Sequence, residues 1–366
     1  VVKEKIDSIQ MFRCFAALFV VIFHFRDVLP FDYNSFVGHF VIRGYSGVDM
    51  FFVISGFIAY YTIQNNKSED NKSGLRYFLK RVAKIIPLYY IFTMLSSGHT
   101  IDSFYQTLRS LLFIPRGLGQ EGPLYGGARV GQGWTLNYEM YFYLVVAASF
   151  LFGRYKWYFT YGFILSVILV PVIVLGVPDK YGHEGFNFDL TYLSLMSNPI
   201  NLEFLLGITV GFVYSKMNKR MNFLWAMFII SVIIYFFMNF YSQFYGFSRI
   251  TAWGIPAALL MLSVLKLEKA GLFTAPASLV RIGNMSFSIY IVHAGVIGLL
   301  MKIASHTFNK GSDGYSTIMG LSIFSVAIII TFFLSNITYK LIEIKLSHKF
   351  RGWLLSRGSL SATLQR

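Results

Sequence analysis

The sequence predicts an all-α polytopic membrane protein, a bundle of about ten transmembrane helices. Three observations carry that expectation. The first is composition: of 366 residues 55% are hydrophobic and only 13% charged, far more apolar surface than a soluble fold of this size carries. The second is a series of ten apolar windows of about 20 residues. The third is the placement of the cations. With ten spans both termini lie on one side, and if that side is the cytoplasm, 22 of the 32 Lys and Arg fall in inside segments and nine outside. That is the sense of the positive-inside rule. The formal net charge of +15 therefore reads as topology and not as a nucleic-acid interface.

In chain order the windows are 9–29, 47–64, 83–98, 134–152, 157–176, 197–215, 221–241, 250–266, 284–304 and 316–342. The first is not a cleavable signal, because Arg13 interrupts it and no small-residue cleavage site follows His24. The main inside loop, 64–84, is polar and then basic. The longest outside stretch, about 98–133, opens on apolar residues 104, 105, 108, 111 and 112, which share one helical face and predict a helix lying on the membrane surface. A glycine-dense loop, 115–133, follows and reads as a structureless functional loop. Its Gly117, Gly119 and Gly122 match a dinucleotide fingerprint in form, but no strand precedes them and no helix opens from them. A second outside loop, 177–197, carries Asp179, Lys180, His183, Glu184 and Asp189. The whole of 1–349 reads as one membrane domain, with 350–366 a short cytoplasmic tail.

Charged residues at membrane depth are expensive and persist mainly where they line a cavity or a reaction path. Arg13 and His24 stand eleven residues apart in the first window, within about 20° on one helical face and about 16 Å along it. The predicted orientation puts Arg13 near the inner face and His24 in the outer half. Glu139 sits about 8 Å in from the outer side, Glu203 at a comparable depth, and His293 near the middle. Imidazoles and carboxylates in one polar layer compose a general acid/base site. His24 is the best base, since the ordinary imidazole titrates near neutrality. The bland readings stand beside these: a packed, hydrogen-bonded histidine, a carboxylate that orients a neighbouring helix, and an Arg13 that snorkels to the headgroups. The lone cysteine, Cys14, excludes an internal disulfide, and no His, Cys or carboxylate spacing suggests a metal site.

Seven segments then resemble one family in order and in residues: Arg13 to His24, Gly47-Val-Asp-Met-Phe-Phe-Val-Ile-Ser-Gly56, Arg81-Val-Ala-Lys-Ile-Ile-Pro87-Leu-Tyr, Gly133-Trp-Thr-Leu-Asn-Tyr-Glu139-Met-Tyr-Phe-Tyr, Glu203-Phe-Leu-Leu-Gly207, Ser286-Phe-Ser-Ile-Tyr-Ile-Val-His293 and Tyr339-Lys-Leu-Ile-Glu343. They are similar to the membrane-bound acyltransferase 3 family over nearly the whole chain, and most to the branch that acylates exopolysaccharides and other surface glycans. The resemblance implies a ten-helix enzyme taking acetyl from acetyl-CoA on the cytoplasmic side and delivering it to a sugar hydroxyl. It makes His24 the essential histidine, Arg13 its paired arginine and Glu139 the glutamate of the Trp-Thr-Leu motif. Many relatives carry a further extracytoplasmic esterase-like domain, and none is expected here. Lys84 stands where arginine is usual and Phe287 where tyrosine is common.

The reading is an O-acyltransferase of the bacterial inner membrane, with acetyl-CoA as donor and a polysaccharide or lipid-linked glycan as acceptor. His24, Arg13 and Glu139 are its catalytic candidates, and Arg13, Arg81 and Lys84 its candidate partners for the CoA phosphates. The same cations also serve topology. Glu203, His293 and Glu343 are left without a role. Two rivals remain: a proton-coupled transporter or flippase, against which stands the lack of paired half-sequences, and a scaffold with a degenerate site.

Overall fold

A computed structural model describes residues 6–29, 32, 35–64, 73–98, 100–117, 121–242, 248–307 and 317–357. Parts of four expected features lie outside them: the N-terminal Lys3 and Lys5, Lys67 and Lys72 of the basic inside loop, the centre of the dinucleotide-like string at 118–120, and 358–366 of the C-terminal tail. Among the described residues there are sixteen α-helices and no strand. They are α1 (Asp7–His24), α2 (Phe36–Ile42), α3 (Gly47–Gln64), α4 (Ser73–Leu95), α5 (Ile101–Leu111), α6 (Trp134–Ser149), α7 (Lys156–Leu175) and α8 (Tyr181–Glu184). Then come α9 (Thr191–Ser197), α10 (Leu202–Lys216), α11 (Phe223–Ser242), α12 (Ile255–Lys269), α13 (Ala277–Asn284), α14 (Ser286–Thr307), α15 (Thr317–Thr338) and α16 (Ser347–Arg357). Wide π turns, Ile250–Gly254 and Tyr339–Leu346, lead into α12 and join α15 to α16.

The all-α polytopic class holds, and each of the ten expected windows is occupied by a helix. The count of ten crossings is not confirmed. Among the described residues seven stretches are long and apolar enough to cross a bilayer, or eight if the pair Thr191–Ser197 and Pro199–Lys216, bent by 48°, is one span. One of the seven, Gly131–Leu175, has 45 residues and would measure about 68 Å if straight, twice the hydrocarbon thickness. Gly153 breaks it, with φ 50° and ψ −118°, and α6 and α7 pack on each other across that break. A left-handed backbone of this kind is what glycine permits.

The chain divides into two compact units, residues 1–61 with 203–335, and 62–202 with 336–366. In the first, α1 packs against α12, α13 and α14. Its inward residues Ile9, Phe12 and Ala16 join Met50, Val53 and Phe57 of α3 and Met261 and Leu265 of α12 in one apolar cluster. Helices α3 and α10 cross backbone to backbone. A methyl group on Gly56 would strike the Phe204 carbonyl, and one on Gly207 the Val53 carbonyl. With no hydrophobic force between helices in lipid, such small-residue crossings let packing and dispersion hold the pair together.

In the second unit α4 packs against α5, α6, α16 and the Tyr339–Leu346 turn. Helix α16 runs through Arg357, so the expected domain edge at 349 falls inside a packed helix. The surface helix expected from residues 104, 105, 108, 111 and 112 is α5, capped by the Thr100 hydroxyl, which accepts from the Ser103 amide at 3.1 Å. Its apolar residues Ile101, Phe104, Tyr105 and Leu108 face outward while Ser103, Gln106, Thr107 and Ser110 are buried. A helix with that inversion is dressed for the lipid interface.

The glycine-dense loop is not structureless over its described part. The Gly117 amide donates to the Tyr125 carbonyl at 3.0 Å, Arg116 Nε to Gly126 at 2.9 Å, and the Tyr138 hydroxyl to Pro123 at 2.8 Å. Tyr125 is fully buried, and its hydroxyl meets the Glu184 and Phe186 carbonyls and the Asn198 amide within 3.0 Å. Burial pushes this phenol up to about 12. The loops 115–133 and 177–197 of this unit are thus tied together through one side chain.

Candidate active site

The sequence-derived candidates fall into both units, and each unit builds its own constellation. In the first, α1 ends at His24 and α14 carries His293. His24 Nδ1 lies 2.8 Å from the Val20 carbonyl, four residues back on its own helix. His293 Nδ1 lies 3.0 Å from the Ile289 carbonyl in the same relation. A carbonyl oxygen only accepts, so each Nδ1 carries the hydrogen and each Nε2 the lone pair. His293 Nε2 stands 3.4 Å from His24 Nδ1, with ring centroids 5.0 Å apart at 68°. His293 is 0% exposed, whereas His24 is partly exposed. Arg13, eleven residues before His24, donates to Gln10 Oε1 at 3.1 Å.

The same unit holds a charged cluster of which Glu203 alone was singled out in sequence. Asp49, fully buried, receives Arg249 in a bidentate pair, Nε to Oδ1 at 2.7 Å and Nη2 to Oδ2 at 2.8 Å. The guanidinium lies over the Tyr45 ring at 5.2 Å, and Tyr45 accepts from Trp253 Nε1 at 2.9 Å. Glu203, also fully buried, lies within electrostatic reach of both, and neither of its oxygens meets a donor among the described residues. Gly254, at the end of a π turn, makes room for it: a methyl group there would stand 2.9 Å from Glu203 Cγ. Such turns recur at functional sites. The Asp49 and Arg249 pairing escapes sequence reasoning because 200 residues separate the partners. The usable signal was a carboxylate inside an apolar helix.

In the second unit Arg81 projects from α4 between two rings, 5.3 Å from the Tyr77 centroid and 5.5 Å from that of Tyr143, and donates to Thr62 Oγ1 at 3.0 Å. Glu139, partly exposed on α6, lies within its electrostatic reach. Lys84, one turn further along α4, is exposed. The phosphate candidate Arg81 and the motif carboxylate Glu139 thus lie in one unit, within electrostatic reach of each other. Glu343 lies in the π turn Tyr339–Leu346 of the same unit. Among the described residues no group of three or more His, Cys, Asp or Glu gathers as a metal ion requires.

A partly exposed imidazole with a fixed tautomer, backed by a second one, is equipment for moving a proton to and from an attacking hydroxyl. The comparisons agree with that class. An acyltransferase domain model matches residues 6–340, and the chain belongs to the acyltransferase 3 family. It is 27% identical to the exopolysaccharide production protein ExoZ of Rhizobium meliloti (strain 1021), over 72% of this chain and 80% of that protein. It is 25% identical to the acyltransferase MdmB of Streptomyces mycarofaciens, over 85% and 83%. No solved structure matches. Family membership favours the enzyme over the transporter and the inert scaffold.

Proposed function

We propose that this membrane acyltransferase moves an acetyl group from acetyl-CoA, entering at the cytoplasmic face of a bacterial inner membrane, to a hydroxyl of a surface or lipid-linked polysaccharide. The observation that carries the reading is the lock on His24: Val20 takes the Nδ1 hydrogen, and the lone pair is left on Nε2 of a partly exposed ring. The acceptor hydroxyl gives its proton to Nε2 as its oxygen attacks the thioester carbonyl. The carbon–sulfur bond then breaks and the proton passes to the departing sulfur, leaving His24 neutral. Along α1 the rise from Arg13 to His24 is about 16 Å, which an extended pantetheine arm spans. Arg13 is accordingly assigned to the phosphate end of the donor. In the second unit, taken by itself, the charge of Arg81 and Lys84 suits them to phosphate, and Glu139 lies within the electrostatic reach of Arg81. The acceptor reading is supported by ExoZ, whose name places it in exopolysaccharide production.

The test is thiol release from acetyl-CoA by protein purified in detergent and supplied with a polysaccharide extract of its host. Release that depends on the extract supports the reading. No release with acetyl-CoA, when another acyl-CoA is turned over, removes acetyl as the group transferred. No release with any acyl-CoA removes the coenzyme as donor.

A further inference from the structure

We propose that His293 is a positioning residue for His24, its Nε2 lone pair bearing on the Nδ1–H edge of the His24 ring. The inference rests on the reading of His24 as the base and extends it. Both imidazoles are pinned by a carbonyl four residues back, at 2.8 Å and 3.0 Å, and both therefore carry hydrogen on Nδ1. His293 Nε2 then has a lone pair to offer, and the atom 3.4 Å in front of it is the hydrogen-bearing Nδ1 of His24. That hydrogen is shared between the Val20 carbonyl and the second ring.

The arrangement has a front and a back. His24 is partly exposed and ends its helix; His293 is 0% exposed on α14. The first ring keeps some exposed surface, while the second has none. When Nε2 of His24 takes the hydroxyl proton, positive charge spreads over both N–H groups of the ring. A neutral lone pair already aimed at Nδ1 meets that charge without having to reorganise, which is the electrostatic service a preorganised dipole provides. The same contact opposes rotation of the ring and exchange of its tautomer, so the lone pair stays on Nε2. His293 gives up and gains no proton in the cycle.

The chemistry selects the test. A glutamine at 293 places its terminal amide oxygen near the position of Nε2, an asparagine places its own near Nδ1, and a leucine keeps bulk with no acceptor at all. Wild type, His293→Gln, His293→Asn and His293→Leu are compared in acetyl transfer, with acetyl-CoA as donor and a host glycan extract as acceptor. Thermal exposure of Cys14 verifies the fold of each. The expected result is a fall in kcat of about 10²-fold for Asn and Leu, KM for acetyl-CoA within about twofold of wild type, and recovery of most of the rate by Gln. Equal rates for all three variants, or a loss expressed in KM alone, overturns the proposal. If the Leu variant fails to fold, Gln against Asn carries the comparison. His24→Ala is run beside them: activity retained there overturns the role of His24 and this proposal with it. Activity lost there but kept in every His293 variant overturns only the role of His293.

Discussion

Single residues decide how much charge this membrane protein can bury. Asp49 and Glu203, both fully buried, gather as two acids around one guanidinium, that of Arg249. Removing one member of a buried pair costs about 3–5 kcal/mol, because the other is left uncompensated. The loss is not symmetric here. Asp49→Asn leaves Arg249 with Glu203 as a second carboxylate, whereas Arg249→Met leaves two acids and no cation. Arg249→Met is therefore expected to lower the thermal midpoint more than Asp49→Asn. Joining it to Asp49→Leu is expected to recover part of the loss. Cys14, the lone cysteine of the chain and 0% exposed, reports unfolding directly through a thiol-reactive dye. Equal midpoints for the two single variants would contradict the three-group reading of the cluster.

At the scale of elements, the crossing of α3 and α10 depends on Gly56 and Gly207, since a methyl group on either meets the backbone of the other helix. Gly56→Val is expected to cost at least the 1–3 kcal/mol typical of overpacking, read as a lower midpoint and poor accumulation in the membrane. Gly295→Ala, in α14 with nothing within 4 Å of the added carbon, is expected to leave the midpoint level or raise it slightly. Much of this level was legible beforehand. The ten apolar windows fall on helices, and the face of α5 was readable from the spacing of residues 104, 105 and 108. What periodicity could not supply was the interior of the loops. The order of residues 121–133 comes from Tyr125 binding carbonyls some 60 positions away, a contact with no local signature. The site was half legible for the same reason. His24 stood out as a charge out of place, but the ring that supports it, 269 residues on, emerges only from the packing of α1 against α14. Glu139, within electrostatic reach of Arg81, likewise brings near each other two motifs that sequence kept apart.

For the whole molecule the account requires two substrates of opposite character: a polyanionic nucleotide on one face of the membrane and a glycan on the other. The orientation drawn from the basic residues makes the loop around Lys180 extracytoplasmic, and its side chain is exposed. A Lys180→Cys variant in a Cys14→Ser background is expected to react with a membrane-impermeant maleimide in intact cells. Lys216→Cys, at the end of α10, is expected to react only after the cells are opened. The reverse pattern would invert the molecule. The most direct measurement follows radiolabelled acetyl from acetyl-CoA, supplied to inverted membrane vesicles, into the host polysaccharide fraction, with wild type and His24→Ala compared at matched protein levels. The account predicts label in a base-labile ester on the glycan in wild type and none above background in His24→Ala. Label transferred equally by both would contradict it.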